Sequence, residues 1–220
     1  MVEEKFPGVY LLNGRLATRN FAPGTRVYGE KIEHEGNVEY RMWDLYRSKL
    51  AAAIHKGLKE MPIAPGSIVL YLGASTGTTP SHVSDIIGAN GGVYCVEFAQ
   101  RSMRDLITVC EKRDNMLPIM GDARLPQEYA GQIEGKVDVI YQDVAQPDQA
   151  DIFIKNSRMF LKKGGVGMIA IKSQSIDVTR QPRKIFEEFV AKVGVEIDVS
   201  EQIELSPFDL EHLFISGKKK

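Results

Sequence analysis

The residues of this chain best suited to chemistry stand where its apolar runs stop. The first run, Ile68–Leu72, gives way to Gly73-Ala74-Ser75-Thr76-Gly77, and Thr78-Thr79 then opens a helical pattern. Glycine in such a turn lets the backbone lie against a ligand. No Gly-Lys-Ser/Thr ending follows, so the lysine with which a P-loop grips phosphates is absent. Ser75 occupies the place of the second glycine in a dinucleotide fingerprint, which disfavours a pyrophosphate. Helix N-terminal amides, joined by the hydroxyls of Thr78 and Thr79, suit a small carboxylate instead. Adenosine carrying an amino-acid tail, as in S-adenosylmethionine, meets that description; a plain strand-to-helix turn is the bland alternative.

Later runs end on polar residues too: Glu97-Phe98, Asp122-Ala123, Asp143-Val144-Ala145-Gln146 and Lys172. In open α/β sheets the ligand lies at the carboxyl ends of the strands, and an acidic residue one βαβ unit past the glycine turn commonly binds ribose hydroxyls. Glu97 stands there, Phe98 can pack on an adenine face, and Asp122 can accept from the adenine amino group. Each carboxylate has a competing use, because an acid at a strand end often caps the helix that follows.

These ends need a frame. Strands are expected at Ile68–Leu72, Val93–Phe98, Leu117–Met120, Val137–Asp143 and Val166–Lys172, with helices at Ser81–Ile87, Ser102–Arg113, Ala150–Leu161 and Arg183–Val193 between and after them. Gly88, Gly164 and Gly194 follow the helices as left-handed caps. Such alternation implies an α/β fold with a doubly wound, mostly parallel sheet covered on both faces. Glu196–Leu205 and His212–Gly217, with only a loop between them, should close it as an antiparallel hairpin.

Residues 1–42 differ. A hairpin turns at Asn13-Gly14, and further strands are expected at Arg26–Ile32 and Val38–Met42. A helix begins near Asp44 with Leu50, Ile54 and Leu58 as its buried stripe, and it leads to Pro62 and Pro65, a natural boundary. The expected division is a small β-rich N-terminal domain with its linking helix, residues 1–57, and a Rossmann-like cofactor-binding domain, residues 58–220.

Composition narrows the function classes. The chain has 220 residues, of which 43% are hydrophobic, enough for one good-sized core. No run approaches a membrane span and MVEEKFPG is no signal peptide, so a cytoplasmic protein is expected. Cys95 and Cys110 are read as buried, reduced thiols, and no His/Cys cluster has metal-ligand spacing. The net charge is −1, from 28 basic and 29 acidic residues. Proteins that hold nucleic acid unaided are usually more basic, so if RNA is the substrate, another component must hold most of it.

Several segments together resemble a known family. Tyr40-Arg41-Met42-Trp43, Arg47-Ser48-Lys49-Leu50-Ala51-Ala52, Leu70-Tyr71-Leu72-Gly73-Ala74, Gly77-Thr78-Thr79 and Ser81-His82-Val83-Ser84-Asp85 occur in order. Val96-Glu97-Phe98, Asp122-Ala123-Arg124 and Asp143-Val144-Ala145-Gln146-Pro147-Asp148-Gln149 come after them. The chain closely resembles the fibrillarins in their short, archaeal-type form, over nearly its whole length and most densely from Val38 to Gln149. It departs at Asp44-Leu45-Tyr46, where an Asn-Pro step is usual, and at Ser75-Thr76.

The resemblance implies an S-adenosylmethionine-dependent RNA 2′-O-methyltransferase (a class I methyltransferase fold) acting on rRNA and tRNA. It further implies a box C/D ribonucleoprotein, with a guide RNA, a Nop-domain scaffold protein and a kink-turn-binding, ribosomal-protein-like subunit as partners. Cofactor contacts would fall at Gly73, Ala74, Thr78, Thr79, Glu97, Phe98, Asp122, Ala123, Asp143, Val144, Ala145 and Gln146. The catalytic set would be Lys49, Asp143, Lys172 and His212. A ribose hydroxyl is a weak acid, so its methylation needs proton removal and alignment. Lys172, ending a buried strand beside Lys49, is the expected base, and Asp143 on the neighbouring strand its orienting partner. Lys49 would steady developing charge or hold a phosphate. Two other readings stay open: a stand-alone methyltransferase for a small hydroxyl substrate, and a catalytically idle cofactor-binding subunit of a ribonucleoprotein.

Overall fold

The computed structural model describes all 220 residues. The N-terminal segment folds into β1 (Val2–Phe6), β2 (Val9–Leu12), β3 (Arg15–Arg19), β4 (Ile32–Glu35) and β5 (Val38–Met42). They form an antiparallel sheet in the order β1-β2-β3-β5-β4. Asn13 and Gly14, with φ of 49° and 77°, make the two-residue turn between β2 and β3. The strand expected at Arg26–Ile32 is not formed; only Ile32 is in a strand. The Glu30 carboxylate accepts from the amides of Val27 and Tyr28 and curls this stretch into a loop, which removes the amides a ladder would need. β1 has only two half-buried positions, Val2 and Phe6, and carries too little apolar periodicity to be read from sequence.

Helix α1 spans Lys49–His55, five residues later than the expected start near Asp44. Ser48 sets that start: its hydroxyl accepts from the Ala51 amide as an N-cap. Leu50 and Ile54 are fully buried, each worth roughly 1.5–3 kcal/mol of transfer free energy. Leu58 is also buried, beyond the helix and after Gly57 at φ 104°.

The remainder alternates strictly: β6 (Ile68–Leu72), α2 (Thr78–Ile87), β7 (Gly92–Glu97), α3 (Gln100–Cys110), β8 (Met116–Met120), α4 (Pro126–Tyr129), β9 (Val137–Gln142), α5 (Gln149–Phe160) and β10 (Leu161–Lys172). The short α6 (Ser173–Ile176), α7 (Pro182–Val193), β11 (Ile197–Glu204) and β12 (His212–Lys219) complete the chain. The seven strands lie in the order β11-β12-β10-β9-β6-β7-β8. β12 alone runs opposite to the other six strands, as the closing hairpin requires. The sheet is therefore doubly wound: β6 and β9 are parallel neighbours, and the order of strand addition reverses between them. Alternation along the strands separates two cores. Val69 and Tyr71 face the side covered by α1, α2 and α3, while Leu70 and Leu72 face the side covered by α5 and α7. Gly88 has a positive φ of 64° at the end of α2, and Gly164, at φ 72°, lies within β10. Gly194, by contrast, ends α7 in the right-handed region at φ −60°, so no left-handed cap forms there.

From Thr79 to Ile87 every residue of α2 is buried, including Ser81, His82, Ser84 and Asp85. The N-terminal sheet lies over this polar flank and satisfies it. Arg41 bonds Asp85 at 2.8 Å, Glu30 at 2.6 Å and Ser81 at 2.9 Å. Arg113 meets Asp85 at 2.6 Å, and Thr18 donates its hydroxyl proton to Asp85. With that proton committed, the Thr18 oxygen accepts from His82 Nδ1 at 2.7 Å, while Nε2 lies 2.8 Å from the Tyr28 hydroxyl, which also reaches the Met42 carbonyl at 3.2 Å. Burial, then the Arg41 and Arg113 charges, push the His82 imidazole well below its usual range. Trp43 stacks on its face with centroids 4.7 Å apart.

Candidate functional site

At the reversal point, Gly73 follows β6 and Asp143 follows β9, with the Asp143 amide donating to the Leu72 carbonyl at 2.9 Å. Gly73 has φ 82°, and a Cβ there would run into the Asp143 carbonyl, so only glycine lets the two strand ends lie this close. Ser75 at φ 51° and Gly77 at φ 88° complete the turn. The first amides of α2, at Thr78 and Thr79, have no acceptor within the helix. Thr79 donates its hydroxyl to Ser48 at 3.0 Å, which ties the glycine turn to the cap of α1.

Above the turn lies a cleft of about 370 Å³. It gathers Gly73, Ala74, Thr78, Thr79, Asp143, Val144 and Ala145 of the expected cofactor contacts, and all four expected catalytic residues, Lys49, Asp143, Lys172 and His212. Glu97, Phe98, Asp122, Ala123 and Gln146 do not line it. Glu97 and Asp122 continue the row of strand ends outward, joined by a Gly121 amide bond to the Glu97 carbonyl at 3.1 Å. Glu97 also does local work: its two oxygens accept from the Ser75 and Ala99 amides, each at 2.7 Å, so it ties the glycine turn to the residue that leads into α3. Phe98 leaves 64% of its surface exposed at the same end. Asp122 is clasped by Arg124, at 2.9 Å from Nε and 2.6 Å from Nη2, and that guanidinium first of all holds its carboxyl below the usual range.

The ion pairing in the cleft corrects one expectation. Asp143 pairs with Lys49, 3.0 Å away, and not with Lys172. Its side chain leaves the sheet toward α1, where Lys49 holds the first helical position. A cation there opposes the helix dipole, and Asp143 supplies the compensating charge. Burial alone would lower the Lys49 pKa, but Asp143 and then Asp209 outweigh it and raise it, so this amine stays an ammonium. Lys172 makes no ion pair. Its backbone is fixed by Gln149, whose amide donates to the Lys172 carbonyl at 3.2 Å, while Gln142 bonds the Gln149 carbonyl at 2.8 Å. Both glutamines are fully buried and join the ends of β9 and β10 to the start of α5.

Three contributors escaped the sequence reading. Asp209 stands 3.6 Å from Lys49 and 2.9 Å from His212; its spacing of three from a histidine was the available signal. Arg47 lines this cleft and also a larger cavity of about 550 Å³ against the N-terminal sheet. Tyr71 floors the cleft and stacks on Tyr141 with centroids 4.6 Å apart; its pattern reads as core only.

The donors fit an adenosyl amino acid. Free helix amides suit its carboxylate, the outward lone pairs of Glu97 its ribose, and exposed Phe98 with Asp122 its base. The cluster of two lysines, two carboxylates and a histidine beside that seat can order a hydroxyl and receive its proton.

Comparison with known proteins agrees with this geometry. The family model described as fibrillarin matches residues 1–220. A fibrillarin-like rRNA/tRNA 2′-O-methyltransferase of Pyrococcus furiosus is 49% identical, over 98% of this chain and 97% of its own. Aeropyrum pernix fibrillarin, solved with natively bound S-adenosyl-L-methionine, superposes with a TM-score of 0.90 at 48% identity, covering 99% of this chain and 97% of the other. A fibrillarin solved in complex with Nop5p gives a TM-score of 0.90 at 36% identity, covering 99% and 100%.

Proposed function

This chain belongs to the fibrillarin family, and from that premise we propose that it transfers a methyl group from S-adenosylmethionine to ribose 2′-hydroxyls of rRNA and tRNA. The observation that carries the proposal is the Lys49–Asp143 pair at the sheet's reversal point, with Lys172 and His212 lining the same cleft as the glycine turn. Bound cofactor supplies a methyl group on a sulfonium. The chain's own residues do the rest. Thr78 and Thr79 amides hold the amino-acid end, Glu97 the ribose, and Phe98, Asp122 and Ala123 the adenine, while Val144, Ala145 and Gln146 wall the seat. Asp143 fixes Lys49, whose permanent charge steadies the oxygen as its proton leaves. Lys172 reaches the same cleft from the end of β10.

Partner dependence follows from charge. A net charge of −1 gives little grip on RNA, so a Nop-domain scaffold, a kink-turn-binding subunit and a box C/D guide RNA are proposed to hold the target and choose the nucleotide. No helix is long and apolar enough to cross a membrane, and we place the assembly in the cytoplasm, in rRNA processing and tRNA modification. Residues 58–220 then form the cofactor-binding domain, and residues 1–57 a β-rich domain that braces it through α1 and Asp85.

Single-turnover methylation of a guide-matched RNA tests this. The assembled complex should methylate one ribose while the isolated chain, though it binds cofactor in calorimetry, should be slow. Lys172→Ala should lower the rate roughly 100-fold with cofactor affinity retained; Asp143→Ala should impair both. Efficient site-specific methylation by the chain alone would remove the partner requirement, and no methylation by the complex would remove the function.

A further inference from the structure

His212 and Asp209 stand side by side on the wall of the cleft, with Asp209 Oδ1 2.9 Å from His212 Nδ1. Asp209 sits in the β11–β12 connection, which is pinned on three sides. The Leu205 carbonyl accepts from the Phe208 amide at 3.0 Å, the Ser173 amide donates to the Glu211 carbonyl at 3.2 Å, and the Phe208 ring packs edge-on against Tyr46 and His55 of the α1 region at 5.3 and 5.2 Å. So held, the Asp209 carboxylate reaches His212 Nδ1 at 2.9 Å and the Lys49 amine at 3.6 Å. The Leu210 carbonyl lies 2.8 Å from the same Nδ1. A carbonyl oxygen can only accept, so Nδ1 carries the ring proton and Nε2 keeps its lone pair. Nε2 has no protein partner, yet it is absent from the sealed, unpartnered side-chain atoms of the fold; it therefore opens on the cleft that His212 lines. Directly across the strand pair stands Lys172.

We propose that Nε2 of His212 accepts the proton of the substrate hydroxyl, and that Asp209 is the positioning residue that holds its charge against the Nδ1 edge and balances the imidazolium that forms. The inference rests on the methyltransferase reading of the cleft. The substrate O–H bond breaks, its proton moves to Nε2, and the freed oxygen pair bonds the methyl carbon. The bond from that carbon to the donor sulfur breaks, and sulfur retains the pair as a neutral thioether. Lys49 cannot take the proton, because Asp143 and Asp209 keep it charged. Lys172 has no carboxylate or carbonyl partner that would aim its amine. The charged groups around the ring are Asp209 from the β11–β12 connection, Lys49 from α1, Asp143 behind Lys49, Lys172 at the end of β10, and Glu211, turned toward Ser173 at 3.5 Å.

Two readouts test the proposal. The chain has four histidines, so imidazole nitrogen resonances can be assigned in the free protein with bound cofactor. His212 should show a protonated Nδ1 and a bare Nε2 when neutral, and Asp209→Asn should move its titration to lower pH, because a stabilising negative charge is gone. In the assembled complex the single-turnover rate should rise with pH along one acid limb. His212→Gln should cost roughly 100-fold and abolish that limb. Asp209→Asn should shift the limb to lower pH with a loss of roughly tenfold, and Asp209→Glu should restore part of it. An Nε2-protonated ring, or an acid limb that survives in His212→Gln, overturns the proposal while leaving the methyltransferase reading intact. Absence of methylation by the unmodified complex would instead overturn that reading.

Discussion

Two clusters of charge in this molecule share an inventory and differ in what is done with it. Under the N-terminal sheet, Arg41, Glu30, Asp85, Arg113 and His82 are all at most 8% exposed, and their side-chain partners are complete. In the cleft, Lys49 and Asp143 leave 23% and 24% of their side chains exposed, Lys172 has no ionic partner, and His212 has one nitrogen free. Saturated groups have nothing left to offer a ligand, whereas groups with spare lone pairs and free cations do. Counting charged residues does not tell the two apart; counting their unmet hydrogen bonds does.

The hardest blow to that contrast is Asp85→Ala. It leaves Arg113 in the interior with no carboxylate and Arg41 with Glu30 alone, and denaturant titration should show a loss of about 3–5 kcal/mol. Asp143→Ala, which breaks a partly solvated pair, should cost no more than about 1 kcal/mol of stability. Equal losses would erase the distinction between the clusters.

A second prediction uses pH. The folded-state pKa of His82 is depressed, so below about pH 6.5 the unfolded chain binds a proton that the folded one refuses. Its contribution to stability is present above that pH and is lost as the pH falls, at up to about 1.4 kcal/mol per pH unit. Stability profiles of the parent chain and of His82→Gln should diverge in slope between roughly pH 6.5 and 5; parallel profiles would mean that His82 is charged in the fold. A further, small effect should come from Ser48→Ala, which removes the α1 cap and the acceptor of Thr79. About 1 kcal/mol should be lost in thermal unfolding, and cofactor affinity should weaken with it, since this hydroxyl joins the base of Lys49 to the start of α2.

The cleft was more legible in the sequence than the brace beneath it. Parallel strands announce themselves as apolar runs, and the doubly wound rule says that their carboxyl ends face a ligand, so Gly73, Glu97, Asp122, Asp143 and Lys172 could be read in turn. Which of them touch could not. Asp143 and Lys172 end neighbouring strands, yet the acid's partner arrives from α1, outside the sheet altogether. Asp85 and Arg41 lie 44 residues apart, and no local pattern marks their meeting. The same is true of Arg26–Ile32, whose strand-like composition lost to one glutamate bonding its own neighbours' amides. Short-range chemistry shows in a sequence as periodicity; a buried ion network shows only as polar residues on a helix flank.

Asp85 also sets a schedule. Chains are made from the N-terminus, at roughly 5–20 residues per second, and β3 and β5 leave the ribosome well before α2. Arg41 then has only Glu30 beside it, since Asp85 and Arg113 have yet to be joined to the chain. The first sheet to be synthesised therefore cannot complete its buried pairing until residue 113 has joined the chain and left the exit tunnel.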